Sequence, residues 1–369
     1  MAQQKMDVQQ IKYDCKYFKG HIPCEPNKKD GSVCDTCTHY ALISKKILII
    51  KLAAIGDVIR TTPLVQKYRE LYPDCHITWL TQFPDVLPVG AIDKIHKLDG
   101  VSMYTLSNER FDIAINLDKD IEVCMLLANV NAFEKYGWTY KDNHIEPATP
   151  NAEHKLITGL FDSISQENTK SYLEEIFEIC HQEFNFEEYL ININTDFSEA
   201  WKKELATKSG GKKIIGLNTG CGPRWKTRLW PSDYWIEMIK DLEGQGYFCM
   251  ILGGPAEDEQ NKIYAQETGA YYPGHYSLEE FISLTNSCDL IITQVSLMMH
   301  IAIALQKQMI LFNNIFNPHE YELYGRGVII GPSSGCDCYY GTTCSREKSC
   351  MLDISVADVV KNVKDIVSL

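Results

Sequence analysis

Two stretches of this chain share one pattern, and that pattern restricts the fold more than any other feature. KILIIKLAAIGDVIRTTP occupies residues 46–63 and KKIIGLNTGCGPRWKTRLWP occupies residues 212–231. Each opens on a short β-branched apolar run, residues 47–50 and 214–217, of the kind that forms a strand buried on both faces. Each run breaks at Gly and small polar residues before an amphipathic helical stretch. A strand feeding a helix through such a break is the unit of an open parallel sheet, and ligands bind such sheets at the carboxyl ends of their strands. The first break offers a carboxylate, Asp57, and the second offers cations, Lys226 and Arg228. A base on one side and an anion site on the other point to group transfer from a phosphorylated donor.

The rest of the pattern agrees. Strands are expected at 76–81 and 111–117, with helices at about 62–72 and 120–134. A second series places strands at 214–218, 247–252, 289–293 and 308–312 and helices at 232–245, 257–268, 277–286 and 296–305. Alternation of this kind predicts an α/β chain with a parallel sheet in each half. The polar segment LATKSGGKK, residues 205–213, reads as the linker between halves. The expected organisation is a cysteine-rich arm over 1–44, one α/β domain over 45–205, a second over 206–352, and an amphipathic helix over 353–369.

Composition excludes several classes. A net charge of −13 argues against nucleic acid as the main partner. No apolar run reaches the roughly 20 residues that span a bilayer, and the first residues hold no signal-peptide core, so the expected location is cytoplasmic. Neither G-x-G-x-x-G nor G-x-x-x-x-G-K-[ST] occurs, which removes support for a nicotinamide dehydrogenase or a P-loop NTPase.

Gly56 permits a tight turn and Asp57 falls at the start of a helix, where it serves either as a backbone cap or as a general base kept ionised by the helix terminus. Thr219, Gly220, Lys226 and Arg228 gather a hydroxyl, backbone amides and cations after a strand, the mixture a diphosphate requires. Gln294, Ser296 and His300 run from a strand end into a helix start, where free amides favour phosphate. Asp118 and Asp120, after the strand at 111–117, are secondary acid–base candidates; capping explains them equally well.

IKLAAIGDVIRTTPLVQKYRELYPDCHITWLT, NTGCGPRWKTRLWPSDYW, ILGGPAEDEQNK and the segment ending at His300 together resemble the family 9 glycosyltransferases, the ADP-heptose heptosyltransferases of lipopolysaccharide core assembly. The resemblance covers about 45–369 in order. It implies a GT-B architecture, two Rossmann-like domains facing across a cleft, with inverting transfer that needs no metal. It also implies that the C-terminal helix returns to the N-terminal domain. By the same resemblance Asp57 matches the base, Gly56 its turn, Thr219 and Arg228 the donor hydroxyl and phosphate-binding cation, and His300 the donor-loop histidine. The donor loop departs from the family's D-T-G-x-x-H, with Val295 and Leu297 where Asp and Gly are usual. The implied partners are a nucleotide sugar, ADP-heptose, and a glycan or protein hydroxyl; an oligomer is left open. The rivals are a non-catalytic binding or scaffold protein of the same fold and a transferase for another nucleotide sugar.

Fourteen cysteines in a cytoplasmic chain call for something other than disulfides. Cys15, Cys24, Cys34 and Cys37 hold one C-x-x-C pair and two further thiols, enough for a tetrahedral structural zinc or iron. Cys336, Cys338, Cys344 and Cys350 are a second set of four. Both sets resemble those of a subset of the family, the autotransporter heptosyltransferases, which carry cysteine-bound iron.

Overall fold

The computed structural model describes residues 7–222 and 224–367. By its contacts the chain divides into two compact units. The first comprises 1–51, 64–82 and 90–148; the second comprises 52–63, 83–89 and 149–369.

The first unit is built on six strands: β1 (Lys45–Ile50), β2 (Cys75–Thr81), β3 (Lys94–Lys97), β4 (Arg110–Asn116), β5 (Asn131–Lys141) and β6 (His144–Pro147). They lie in the order β3-β2-β1-β4-β5-β6. All neighbours run parallel except the β5–β6 hairpin. Strand order reverses between β1 and β4, so the chain leaving β1 does so at a topological switch point. Ile47, Leu48, Ile49 and Ile50 are fully buried, as the continuous apolar run demands for a central strand.

The second unit carries β7 (Ile214–Asn218), β8 (Phe248–Leu252), β9 (Leu290–Gln294), β10 (Gln308–Phe312) and β11 (Gly327–Ile330), all parallel in the order β11-β10-β9-β7-β8. Here the switch point falls between β7 and β9. Asn218 crosses it, its Nδ2 donating to Thr293 Oγ1 at 3.0 Å.

Four expectations need correction. The helix begun at Ile121 stops at Asn129, and residues 131–141 pair with β4 as a strand. An unpaired parallel edge at β4 outweighs the local helical pattern, and the strand turns back through Asp142 and Asn143, both at positive φ (49° and 65°), the turn that suits a two-residue hairpin. The segment LATKSGGKK is not a linker throughout: the Thr195–Ser209 helix includes its first half, and Gly210 at φ 60° ends that helix. Residues 149–205 accordingly belong to the second unit, where Ser283 Oγ donates to the Asn194 carbonyl at 3.2 Å. The last helix, Val356–Ile366, expected to return to the first domain, packs its valines within the second unit. Val356, Val359, Val360 and Val363 enter the second unit's core with Trp230, Trp235 and Phe312. Tyr247 Oη donates to the Val367 carbonyl at 3.0 Å and fixes its end. Its valine stripe, read from sequence as a face for the other domain, is consumed by its own.

The arm is also more ordered than expected. It contains a six-residue helix, Glu25–Asp30, ended by Gly31 at φ 78°, and an antiparallel Cys15–Leu42 bridge joins its two ends.

Placing the last helix in this core has a measurable consequence. Val359→Asp buries an unpaired carboxylate and is expected to cost more than about 3 kcal/mol, whereas Lys361→Asp on the exposed face stays within about 0.5 kcal/mol. Urea unfolding of the two variants measures both.

Candidate active site

Asp57 is the third residue of the five-residue Ile55–Ile59 helix, which follows β1 in sequence and belongs to the second unit. It is not the cap. Ala54 holds that position, and Asp57 Oδ2 accepts the Ala54 N–H at 3.2 Å. The other oxygen pairs with Arg60 Nη2 at 2.8 Å, and the side chain remains 32% exposed. Arg60, 12% exposed, also donates to Glu320 Oε1 at 3.0 Å and lies 3.4 Å from the Tyr172 ring centroid. Burial alone would lower the pKa of Arg60. The charge of Asp57 first, then Tyr172 and Glu320, outweighs it and holds the guanidinium well above its ordinary value. Asp57 is therefore aimed by a backbone amide and a fixed cation, and one face is left to solvent.

The Leu297–Ala304 helix lays His300 against this turn. A Cβ at Gly56 would overlap His300 Cδ2 and come within 3.0 Å of Nε2, so this approach requires glycine. The His300 ring stacks on Tyr189, with centroids 6.3 Å apart and planes at 15°. Burial, then the Arg60 charge, drives its pKa down to about 3 against the pull of Asp57. The ring is neutral at pH 7, and its buried Nδ1 has no hydrogen-bond partner among the described residues.

Beside the β7–β9 switch point lies a cavity of about 550 Å³. Asn218 and Gly220 after β7, Gly253 and Gly254 after β8, and Ser296 and Leu297 after β9 form its polar wall. Tyr276 and Phe281 add an aromatic one, and Ile55 reaches it from the helix that carries Asp57. A side chain at Gly220 would overlap the Glu257 carboxylate, which accepts the Gly254 N–H at 3.0 Å. Small residues thus bring backbone amides to the cavity edge, as a phosphate site requires.

The other sequence candidates divide between cavity wall and scaffold. Ser296 lines the cavity, its Oγ 3.2 Å from Thr293 Oγ1. Thr219 is buried, and its Oγ1 donates to Asn261 Oδ1 at 2.6 Å. Gln294, fully buried, braces the loop after β7: with its amide turned to donate, it reaches the carbonyls of Asn218 and Gly220 at 3.1 Å each. Arg228 is tied to three carbonyls: Val295, Cys221 at 2.5 Å and Trp225 at 3.3 Å. Two of its five N–H groups remain, so it first organises the loop. Lys226 is exposed at the start of a short 3-10 turn, Lys226–Arg228.

Asp118 lies in the first unit, buried in an ion pair with Lys51. Asp120 is exposed at the cap of the Ile121–Asn129 helix, where its side chain makes no capping bond. Sequence reasoning did not single out Arg60, Glu320, Glu257, Tyr276 or Phe281. Gly253-Gly254 followed by Glu257 was the available local signal for the cavity. No spacing could pair Arg60 with Glu320, 260 residues away.

Of the two cysteine sets, the second draws together. The ligand atoms of Cys336, Cys338 and Cys350 lie within 4.8 Å of one another. Cys350 and Cys336 sulfurs are 3.4 Å apart; the Cys344 thiol, outside this close group, donates to the Lys348 carbonyl at 4.0 Å. Backbone N–H groups of Cys338 and Ser345 donate to the sulfurs of Cys336 and Cys338, both at 3.4 Å. Converging thiols with amide donors to sulfur fit a single zinc or iron ion. Cys15, Cys24, Cys34 and Cys37 share one cavity wall in the arm but form no such close group among the described residues.

Two parallel-sheet domains, one with a glycine-edged cavity at its switch point, are the architecture of a GT-B glycosyltransferase. The chain belongs to glycosyltransferase family 9 (heptosyltransferase), whose family model matches residues 103–336. It is 22% identical over 291 residues to lipooligosaccharide heptosyltransferase 2 of Haemophilus influenzae, covering 72% of this chain and 82% of that protein. Its fold is similar to that of a family 9 glycosyl transferase from Veillonella parvula, with TM-score 0.63, 20% identity, and 88% and 98% of the two chains covered. It is also similar to that of TibC, the iron-containing dodecameric glycosyltransferase of enterotoxigenic E. coli, with TM-score 0.52, 14% identity, and 87% and 78% covered. No helix among the described residues is long and apolar enough to cross a membrane.

The His300 environment sets a pH dependence. Its folded pKa of about 3 lies below the ordinary 6.5, so the unfolded chain binds the extra proton between those values. Stability contributed by the neutral ring is intact above about pH 6.5 and lost progressively as pH falls toward 3. His300→Gln is expected to flatten the loss of unfolding free energy between pH 7 and 5 by up to one proton, read from denaturant titrations at each pH.

Proposed function

We propose that this glycosyltransferase moves a heptose from ADP-heptose to an acceptor hydroxyl of a glycan or protein, with inversion at the anomeric carbon. The observation that carries this reading is that one short helix holds both Asp57 and a wall residue of the glycine-edged cavity, Ile55. A general base thereby stands at the mouth of a site suited to a nucleoside diphosphate. The donor is taken from the relative TibC, a structure of which is a complex with ADP-D-beta-D-heptose.

In this mechanism Asp57 accepts the proton of the acceptor hydroxyl. The oxygen attacks the anomeric carbon as the bond from that carbon to the β-phosphate oxygen breaks, and ADP leaves. Arg60 pairs with the carboxylate and directs it before the proton arrives. Amides at the start of the Leu297–Ala304 helix, with Lys226 and the remaining N–H groups of Arg228, stabilise the negative charge that develops on the diphosphate. Tyr276 and Phe281 supply the apolar surface for the nucleobase.

The cysteine loop serves the same site from behind. An ion held by Cys336, Cys338, Cys350 and Cys344 would supply cross-linking. Asn314 Nδ2 donates to Cys350 Sγ at 3.3 Å and to the Thr227 carbonyl at 2.9 Å, and Thr227 Oγ1 donates to the Gly341 carbonyl at 3.0 Å. Tyr340 packs edge-on against Trp225 at 5.5 Å and donates to Glu320 at 3.4 Å. The loop thus supports both the basic segment and the partner of Arg60.

Asp57→Asn is expected to lower ADP release from ADP-heptose by about 10²-fold or more while ADP affinity by calorimetry stays within about 3-fold. Turnover near wild type would remove Asp57 as the base. Tight ADP-heptose binding by wild type, with neither transfer nor slow hydrolysis, would favour the binding-protein reading that Val295 and Leu297 raise. Cys336→Ser with Cys350→Ser is expected to lose about one metal ion per chain by elemental analysis and to weaken ADP binding, because the 224–228 segment loses its brace.

A further inference from the structure

The arm is ordered with almost no core. Among residues 7–44 only Pro26 is buried, while Val8, Tyr13, Phe18, Ile22, Tyr40 and Leu42 are exposed. Burial therefore does not offset the conformational entropy lost in fixing this segment. Its four half-buried cysteines nevertheless come from separate parts of the arm to one cavity of about 290 Å³.

Whether three sulfurs come close to one another separates two kinds of site. A single tetrahedral ion, with metal–sulfur bonds of about 2.3 Å, holds its sulfurs within roughly 4 Å of one another. The Cys336 group approaches that arrangement; among the described residues the arm cysteines form no group of three within 4.8 Å. An iron–sulfur cluster places several irons and sulfides between its thiolates, and so holds them further apart around a volume. We propose that Cys15, Cys24, Cys34 and Cys37 together ligate an iron–sulfur cluster.

The wall of the cavity suits that cofactor. Lys12 and Lys19 line it and oppose the negative charge that four thiolates leave on a cluster. Phe18 and Ile22 line it too, and their apolar surface limits access of water to the sulfides. The cysteine backbones are already anchored. Lys16 N–H donates to the Ala41 carbonyl at 2.9 Å beside Cys15, Cys24 opens the Glu25–Asp30 helix, and Thr36 N–H donates to the Val33 carbonyl at 3.1 Å across the Cys34–Cys37 turn. The cluster is a clamp that joins three turns of the arm, one of them bridged to Leu42. This assignment is independent of the sugar donor.

The test is acid-labile sulfide, which no single-ion site contains. Full-length protein purified without oxygen from iron-replete cells is expected to carry about two to four sulfides per chain, with a visible absorption bleached by dithionite. Cys34→Ser with Cys37→Ser should lose both signals, and Cys336→Ser with Cys350→Ser should keep them. Should the arm variant fail to fold, retention of sulfide in the Cys336/Cys350 variant still places the cluster outside that loop. Wild-type protein with no sulfide, whether it holds one zinc, one iron or no metal in the arm, would overturn the proposal. So would sulfide lost only when Cys336 and Cys350 are replaced.

Discussion

The close approach of the His300 ring to Gly56 is the constraint on which the arrangement around Asp57 rests. One partner is at the start of the helix after β9 and the other sits one residue before Asp57, so their contact fixes Asp57 relative to the loop after β9. Every neighbouring interaction conforms to it. Tyr189 stacks on the imidazole, and Arg60 places its positive charge between Asp57 and Glu320, which helps hold the ring neutral. Residues 52–63 group with the second unit by contact, and this packing is a large part of the reason.

Legibility in the sequence followed the range of the determining interactions. Ile47–Ile50 and the run at β7 were readable because a buried parallel strand leaves a continuous apolar signature. Gly56 and Asp57 were readable because they closely follow such a strand. The charge pair between Arg60 and Glu320 had no local signature, and neither did the aromatic wall at Tyr276 and Phe281, which the fold alone brings to the cavity. The stretch at 131–134 misled because edge pairing with β4 is a tertiary demand, stronger than a short helical pattern. The valines of the last helix were recognised as an apolar face, but nothing local says which core will receive such a face.

The cysteines show a similar division. Sequence spacing marked both sets as groups of four, and only geometry distinguishes them. The 336–350 set draws its sulfurs toward one point and is wired through Asn314 and Thr227 to the basic loop. The arm set surrounds a volume and lies in the other unit. Ligand count could not separate these cases, because two cysteines in a C-x-x-C turn serve a single ion and a cluster equally well.

The composition of the second unit bears on how the molecule is made. It joins residues 52–63, which leave the ribosome early, to the valines of 356–367, more than 290 positions later. The β1 strand and its sheet can form while those valines are still unsynthesised, but until residue 300 is made the turn that carries Asp57 has no imidazole to rest on, and the Trp230–Trp235 cluster has no lid. Contacts of such long sequence separation form slowly and leave apolar surface open meanwhile. A nascent chain paused between residues 231 and 356 would therefore present an unfinished second sheet to chaperones, and competence for sugar transfer would arise late and all at once.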